Sequence, residues 1–460
     1  MNFRRKAALL VLTVFVVSTV LFGCAPKQPA QSGAAAEPTA AAAKEIYFLN
    51  FKPEIAQVYD SIAKDYEAET GVKVKVVTAA AGTYETTLKS EIAKSDAPTI
   101  FQINGPVGYE NWKDYAADLK DTKLYSYLSD KSLAVKSGEG VYGIPYVVEG
   151  YGIIYNNAIM NKYFALSDKA VTINSAAEIK NFDTLKQVVE DMTKHKAQLG
   201  IKGVFASTSL KAGEQWRWQT HLANLPLYYE FKDNTQFDNT VLAGLAADKI
   251  DFKYANNYKN VFDLYINNSM TDKKLLGSKS VDDSMAEFAL GNVAMVQNGN
   301  WAWSQIKNVA GNTVKEEDIK FMPIYTGMPG EENQGLCIGT ENYFSINSKV
   351  SKEKQDASAA FLEWLFSSEK GKKYVTQDLG FIAPFNTFNE NERPADPLAK
   401  EVMAWMNNGT TSVAWTFAAF PSEEFKNYFG DALLEYAQGK ITWDQVVTIV
   451  KDSWASEKTK

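Results

Sequence analysis

The chain has 460 residues, 45% of them hydrophobic and 13% aromatic, with 48 basic side chains against 55 acidic ones. This length supports two or more domains with a large core, so disulfides are not required for stability. Without the three cations of its leader, 45 basic residues face 55 acidic ones, and a balance near −10 argues against a nucleic-acid binder.

Residues 1–23 read as an export signal. Arg4, Arg5 and Lys6 form a basic start, and Ala7 to Phe22 is an apolar run too short for a membrane span. Leu21-Phe22-Gly23-Cys24 resembles the lipobox of bacterial lipoproteins, which implies lipidation at Cys24. Residues 24–43 are rich in Ala, Pro, Gln, Ser and Gly and cannot bury enough surface to fold, so they read as a tether. With Cys24 lipidated, Cys337 has no cysteine left to pair with.

From residue 44 the pattern is β-α-β-α-β. Glu45 to Phe51 is strand-like, Pro53 opens a helix with Ile55, Val58, Ile62 and Tyr66 inward, and Gly71 ends it. Val72, Val74 and Val76 alternate as a strand, a helix runs through Tyr84, Leu88 and Ile92, and Thr99 to Ile103 is the next strand. Such alternation predicts a parallel sheet with ligands at the carboxyl ends of its strands, which places Asn50, Tyr84 and Asn104 near a site. In the stretch Val141 to Asn156, Gly150 and Gly152 flank Tyr151 at a candidate hinge.

Residues 157–280 read as mainly helical. Within them Gln215-Trp216-Arg217-Trp218-Gln219 stands out, and helical spacing puts Trp216 and Trp218 on different faces, so one is core and the other can face a ligand. Arg217, one of two arginines beyond the leader, would suit a uronate carboxylate; the alternative is a surface ion pair. The stretch Glu287 to Trp303 has two turns, Gly291-Asn292 and Asn298-Gly299-Asn300, the second of which presents Trp301. Trp301 reads either as core or as a flat platform for a sugar ring. Ser358 to Lys372 is a dense core helix, and Trp415 beside Phe417 reads as core or cleft lining. The chain closes with an amphipathic helix through Trp454.

Phe288, Gly291, Ala294, Met295, Gly299 and Trp301 fill a pattern, F-x-x-G-x-x-A-M then G-x-W, that resembles the signature of family 1 extracellular solute-binding proteins, the maltose-binding-protein-like receptors of ABC importers. Val141 to Asn156 resembles that family's first inter-lobe crossover, which implies Glu149 as an acidic ligand for sugar hydroxyls where the residue alone reads as a surface carboxylate; Gly335 to Ile346 resembles the second crossover, and Gly380 to Pro384 the small returning loop, which adds Phe381 as a site candidate beside Asn300. Two departures stand out: Thr99 where the family commonly has Asp, and Val446 or Val447 where it has Ala. The resemblance implies an α/β, two-lobe periplasmic-binding-protein-like fold of class II, each lobe a mostly parallel sheet flanked by helices, with a cleft between. The first lobe would comprise 44–149 plus about 339–390, the second about 152–336 plus 391–460, with hinges near 149–152, 335–340 and 385–393.

The resemblance further implies a monomeric lipoprotein that closes on a carbohydrate and delivers it to ABC permease transmembrane subunits. No cofactor, metal, catalytic residue or nucleic-acid partner is expected. Its place is the extracellular face of a membrane or the periplasmic side; the Lys-rich, Arg-poor composition leans to the former. His195 and His221 lack metal-ligand spacing, and no nucleophile, phosphate-loop or dinucleotide motif is present. Two alternatives stay open: a receptor of this fold for peptides or polyamines, and a carbohydrate-active enzyme, since two carboxylates suffice for glycoside hydrolysis.

Overall fold

The computed structural model describes residues 45–80, 82–340 and 342–459. The signal, the lipobox with Cys24 and the tether lie outside the described residues. In chain order the strands are β1 (Ile46–Asn50), β2 (Val74–Thr78), β3 (Ile100–Asn104), β4 (Val135–Ser137), β5 (Gly140–Pro145), β6 (Glu149–Asn156), β7 (Gly203–Phe205), β8 (Val293–Gly299), β9 (Ile319–Met322), β10 (Gln334–Gly339), β11 (Asn342–Ile346) and β12 (Thr411–Val413). They form two sheets, one per lobe, ordered β2-β1-β3-β11-β5-β4 and β12-β10-β6-β8-β7, with β9 also on β6.

Local chemistry accounts for the opening unit. Pro53 starts a single 3₁₀ turn, and helix Ala56–Thr70 follows with Tyr59, Ile62, Ala63 and Tyr66 buried at helical spacing. Gly71 then takes φ 72° and donates its N–H to Glu67 O, a left-handed stop that other residues resist. Thr99, at the position where Asp was expected, is fully engaged: its Oγ1 accepts from Tyr47 N at 3.1 Å and from Ser358 Oγ at 2.8 Å.

The expectation of mostly parallel sheets is corrected: both sheets are mixed. β1 pairs in parallel with β2 and β3, but β3/β11, β11/β5 and β5/β4 are antiparallel. In the second sheet β7/β8 and β10/β12 are parallel, whereas β8, β9 and β10 all run antiparallel to β6. Parallel pairing needs a helical crossover within one sheet. β5 leads into β6, and β10 into β11, across the lobes with no helix between, so these strands enter their sheets in the reverse sense.

Each sheet is packed on both faces. The first lobe holds cores around Phe48, Tyr59 and Phe344 and around Leu49, Leu88 and Phe101. The second holds a large core reaching from Ile153 to Trp454 and a smaller one around Phe288, Trp303 and Phe321. β6 and β10 travel side by side between the lobes, Glu149 opposite Gly339 and Tyr151 opposite Cys337. The chain passes a third time near Ile382, which bridges Val148.

Gly150 and Gly152 flank the candidate hinge at Tyr151. Neither has positive φ. A Cβ on Gly150 would meet Val402 at 2.7 Å, and one on Gly152 would meet Met322 O at 2.5 Å, so close packing accounts for both.

Candidate functional site

The site grows from the carboxyl end of β1. Asn50 is buried and folds its amide back on the chain: Oδ1 accepts from Lys52 N at 3.2 Å, while Nδ2 donates to Lys52 O at 2.8 Å and to Thr78 Oγ1 at 3.1 Å. This brace aims Lys52 at the second lobe. Lys52 Nζ lies 2.7 Å from Glu149 Oε1, 3.6 Å from Glu54, and 5.7 Å from the centre of the Trp301 ring. Lys52 and Glu149 are both buried, and each charge offsets the other's loss of water. Burial raises the pKa of the Glu54 carboxyl, opposed by the nearby Lys52 ammonium.

Across the cleft, Asn300 fixes the turn that carries Trp301. Its N–H donates to Gly150 O at 3.0 Å, and its Oδ1 accepts from Gly150 N at 2.9 Å. The Trp301 ring lies directly against Gly299, where a Cβ would stand 2.2 Å from it. Trp415 covers Gly339 in the same way, at 2.6 Å. The bare backbone beneath each indole sets its height, which gives the G-x-W spacing its physical reason. Trp303 is buried in the second lobe's smaller core, so Trp301 is the member of that pair that faces the cleft.

His221 is the centre of the arrangement, and sequence reasoning missed it. Its ring stacks on Tyr151 at 4.4 Å and 12°. Trp216, Phe417, Trp301 and Trp415 surround it at 5.1, 5.3, 5.5 and 6.3 Å. Tyr151 Oη also donates to His221 O at 3.0 Å. Burial, aided by the Arg217, Lys426 and Lys52 charges, lowers the imidazole pKa to about 3, so the ring is neutral at pH 7. His221 Nδ1 and Trp415 Nε1 are buried with no hydrogen-bond partner among the described residues. Burial also pushes the Cys337 thiol, behind Tyr151 on β10, up to about 12.

The signal for His221 was hidden by helix geometry. Trp216 and His221 are five residues apart, which an α-helix points to different sides. A π-helical turn over Arg217–Leu222 brings them together. Trp218 points the other way, into the core, with its Nε1 donating to Ser209 O at 2.9 Å.

Other candidates lie elsewhere. Arg217 is fully buried within the second lobe, where Nη1 donates to Gln297 O at 3.0 Å and Nη2 to Ser209 and Ser284 Oγ, each at 2.8 Å. Among the described residues no carboxylate forms an ion pair with it, and desolvation, opposed by the Glu214 and Glu287 charges, lowers its pKa to about 9. Gln215 donates to Asp431 Oδ1 at 3.2 Å and accepts from Gly213 N at 3.0 Å, holding a helix rather than facing the rings. Tyr84 is in the first lobe's core, and its hydroxyl accepts from Gln102 N at 2.6 Å. Phe381 packs beside Tyr146 at 5.6 Å in the same lobe's other core. Asn104 does reach the cleft: it lines a pocket with Phe417 and Ala418, and its Oδ1 has no partner among the described residues.

The family model for bacterial extracellular solute-binding proteins matches residues 61–404 of this chain. The chain is a bacterial extracellular solute-binding protein. Solved structures share its two-lobe fold. A chitin oligosaccharide binding protein superposes with a TM-score of 0.69 at 16% identity, covering 90% of this chain and 99% of its own. RafE in complex with raffinose gives 0.67 at 19%, with the same coverage. A family 1 extracellular solute-binding protein from Bifidobacterium longum subsp. infantis gives 0.59 at 18%, covering 90% of this chain and 99% of its own. Among the described residues of this solute-binding protein, no helix is long and apolar enough to cross a membrane.

Proposed function

We propose that this solute-binding protein captures a carbohydrate between its lobes and delivers it to the transmembrane subunits of an ABC importer. One observation carries the reading: flat rings at Trp301, Trp216, Trp415 and Tyr151 gather around a neutral His221, and a buried Lys52–Glu149 pair faces them from the other side. Indoles supply the apolar area that a sugar ring stacks on, and the orphaned polar atoms of His221 and Trp415 can pair with its hydroxyls. The sugars named for two of the neighbouring structures, chitin oligosaccharide and raffinose, support the same class.

The lobes bend at the segments near 149–152, 335–340 and 385–393, with 44–149 plus about 339–390 on one side and about 152–336 plus 391–460 on the other. Sugar shifts the population to the closed form because it touches both lobes. The protein works as a monomer held to the membrane by lipid on Cys24, and it performs no chemistry on its ligand. The test is thermal melting of the purified protein with mono- and oligosaccharides, peptides and polyamines, followed by product analysis. A ligand that binds only the native state raises the melting temperature. A rise with one sugar class and no turnover is expected; a rise with peptides or polyamines alone, or hydrolysis of the sugar, refutes the reading.

A further inference from the structure

Two elements of the second lobe carry rings of the site. The π-helical turn Arg217–Leu222 holds His221, with Trp216 just before it, and β8 leads through Gly299 to Trp301. Across the gap Trp301 stands 5.5 Å from His221 and 6.2 Å from Trp216. A reciprocal pair of hydrogen bonds joins the two elements. Arg217 Nη1 donates to Gln297 O at 3.0 Å, and Gln297 Nε2 donates back to Arg217 O at 2.6 Å. Both side chains are buried. Arg217 directly follows Trp216, and Gln297 stands on β8 shortly before Trp301.

Stability alone does not account for a guanidinium in this place. Its remaining bonds go to the neutral hydroxyls of Ser209 and Ser284. Arg217 Nε and Gln297 Oε1 are buried with no hydrogen-bond partner among the described residues. A buried charge and unpaired polar atoms both cost free energy, and an apolar side chain of similar volume would fill the space without either. What the planar fork supplies is geometry: it fixes one backbone carbonyl and two hydroxyls relative to a single plane. The π-helical turn needs such a fix. Its wider bonding, with Ala223 N–H reaching Trp218 O at 3.2 Å, competes with the ordinary α-helical pattern, in which Trp216 and His221 point apart.

We propose that Arg217 and Gln297 form one positioning clasp, which holds the turn bearing Trp216 and His221 at a set distance from Trp301 and thereby sets the affinity of the site. The clasp lies too deep to touch a ligand and acts through the three rings. This rests on the carbohydrate reading above, which supplies the probes: raffinose, stachyose and chitotriose.

The test measures affinity by calorimetric titration and stability by urea unfolding, in Arg217→Met, Gln297→Met, their double variant and Ser284→Ala. Each single clasp variant, titrated while folded, should bind the best of the three sugars at least about tenfold more weakly than the wild type. The double variant should stay within about twofold of the weaker single one, because a reciprocal pair fails as a unit. Ser284→Ala removes one hydroxyl acceptor of the fork and leaves both bonds to Gln297. It should unfold at lower urea yet keep its affinity within about twofold. A residue with a merely structural role would shift the urea midpoint alone. Wild-type affinity in folded Arg217→Met overturns the clasp. So does a double variant whose loss is the product of the two single losses, or a Ser284→Ala that loses as much affinity as Arg217→Met. If Arg217→Met does not fold, Gln297→Met decides, since it keeps the guanidinium and the backbone pairing of β8 with Ile153: unchanged affinity there overturns the clasp. If the wild type binds none of the sugars but takes a peptide or a polyamine, the carbohydrate reading falls, and the same variants titrated with that solute decide the clasp. Binding of none of these by the wild type overturns both.

Discussion

At the scale of single residues, His221 and Gly299 make the sharpest predictions. The imidazole is held neutral in the fold down to about pH 3, while in the unfolded chain it takes a proton near 6.5. Its contribution is therefore full above pH 6.5 and is lost as pH falls towards 3. Complete loss amounts to roughly 5 kcal/mol. His221→Phe keeps a flat ring but cannot titrate, so between pH 7 and pH 4 its melting temperature should fall less than that of the wild type. Equal falls in both would show that His221 is already charged in the fold. Gly299→Ala should displace the Trp301 indole, since the new methyl would stand 2.2 Å from it. The expected result is weaker sugar binding, by about 1–3 kcal/mol, the scale of a buried aromatic contact, with the far-ultraviolet spectrum unchanged.

At the scale of elements, a partly buried acid stands just past the third crossover. Asp396 caps helix Pro397–Met406 through Oδ1, which accepts from Ala399 N at 3.0 Å. Burial nevertheless raises its pKa to about 7. Because the folded state binds this proton more tightly, the group's contribution to stability falls as pH rises from about 4 to 7. Asn caps equally well without the charge. Asp396→Asn should thus melt higher than the wild type at pH 8 and level with it near pH 4. Val402 of that helix sits on Gly150, so Val402→Phe offers a separate check: overpacking there should cost about 1–3 kcal/mol in denaturant unfolding.

Element geometry also decided what could be read beforehand. Strand alternation and the Pro53 and Gly71 signals located the first βαβ unit, and the turn before Trp301 set that ring apart from Trp303, which is core. Period-3.6 reasoning could not bring Trp216 to His221, because only the wider π-helical turn does so. Nor could it show that Arg217 turns inward to Ser209 and Ser284, or that Phe381 belongs to Tyr146. Those are tertiary facts with no local pattern. Lys52 stood next to a predicted strand end, yet its role depends on Glu149, 97 positions away.

At the scale of the whole molecule, Lys52 ties the end of β1 to Glu149 at the start of β6, 2.7 Å away. Lys52→Met leaves Glu149 buried without its cation and should cost about 3–5 kcal/mol in unfolding free energy, with sugar affinity reduced as well. Adding Glu149→Gln should restore much of the loss. If the double variant is as unstable as the single one, the pair is not coupled. Elsewhere Gly82 comes so close to Gly213 that a Cβ would lie 2.9 Å from its carbonyl oxygen, so closure brings bare backbone against backbone.

The gathering of Trp216, Trp301 and Trp415 around one uncharged imidazole also has an optical consequence. A protonated imidazole quenches indole emission; this one stays neutral. Trp216 and Trp301 are 6.2 Å apart, close enough for their ultraviolet transitions to couple. A sugar laid on these rings would alter both emission and near-ultraviolet dichroism. The protein carries its own unlabelled gauge of occupancy, readable in a cuvette or in a stopped flow on the timescale of lobe closure.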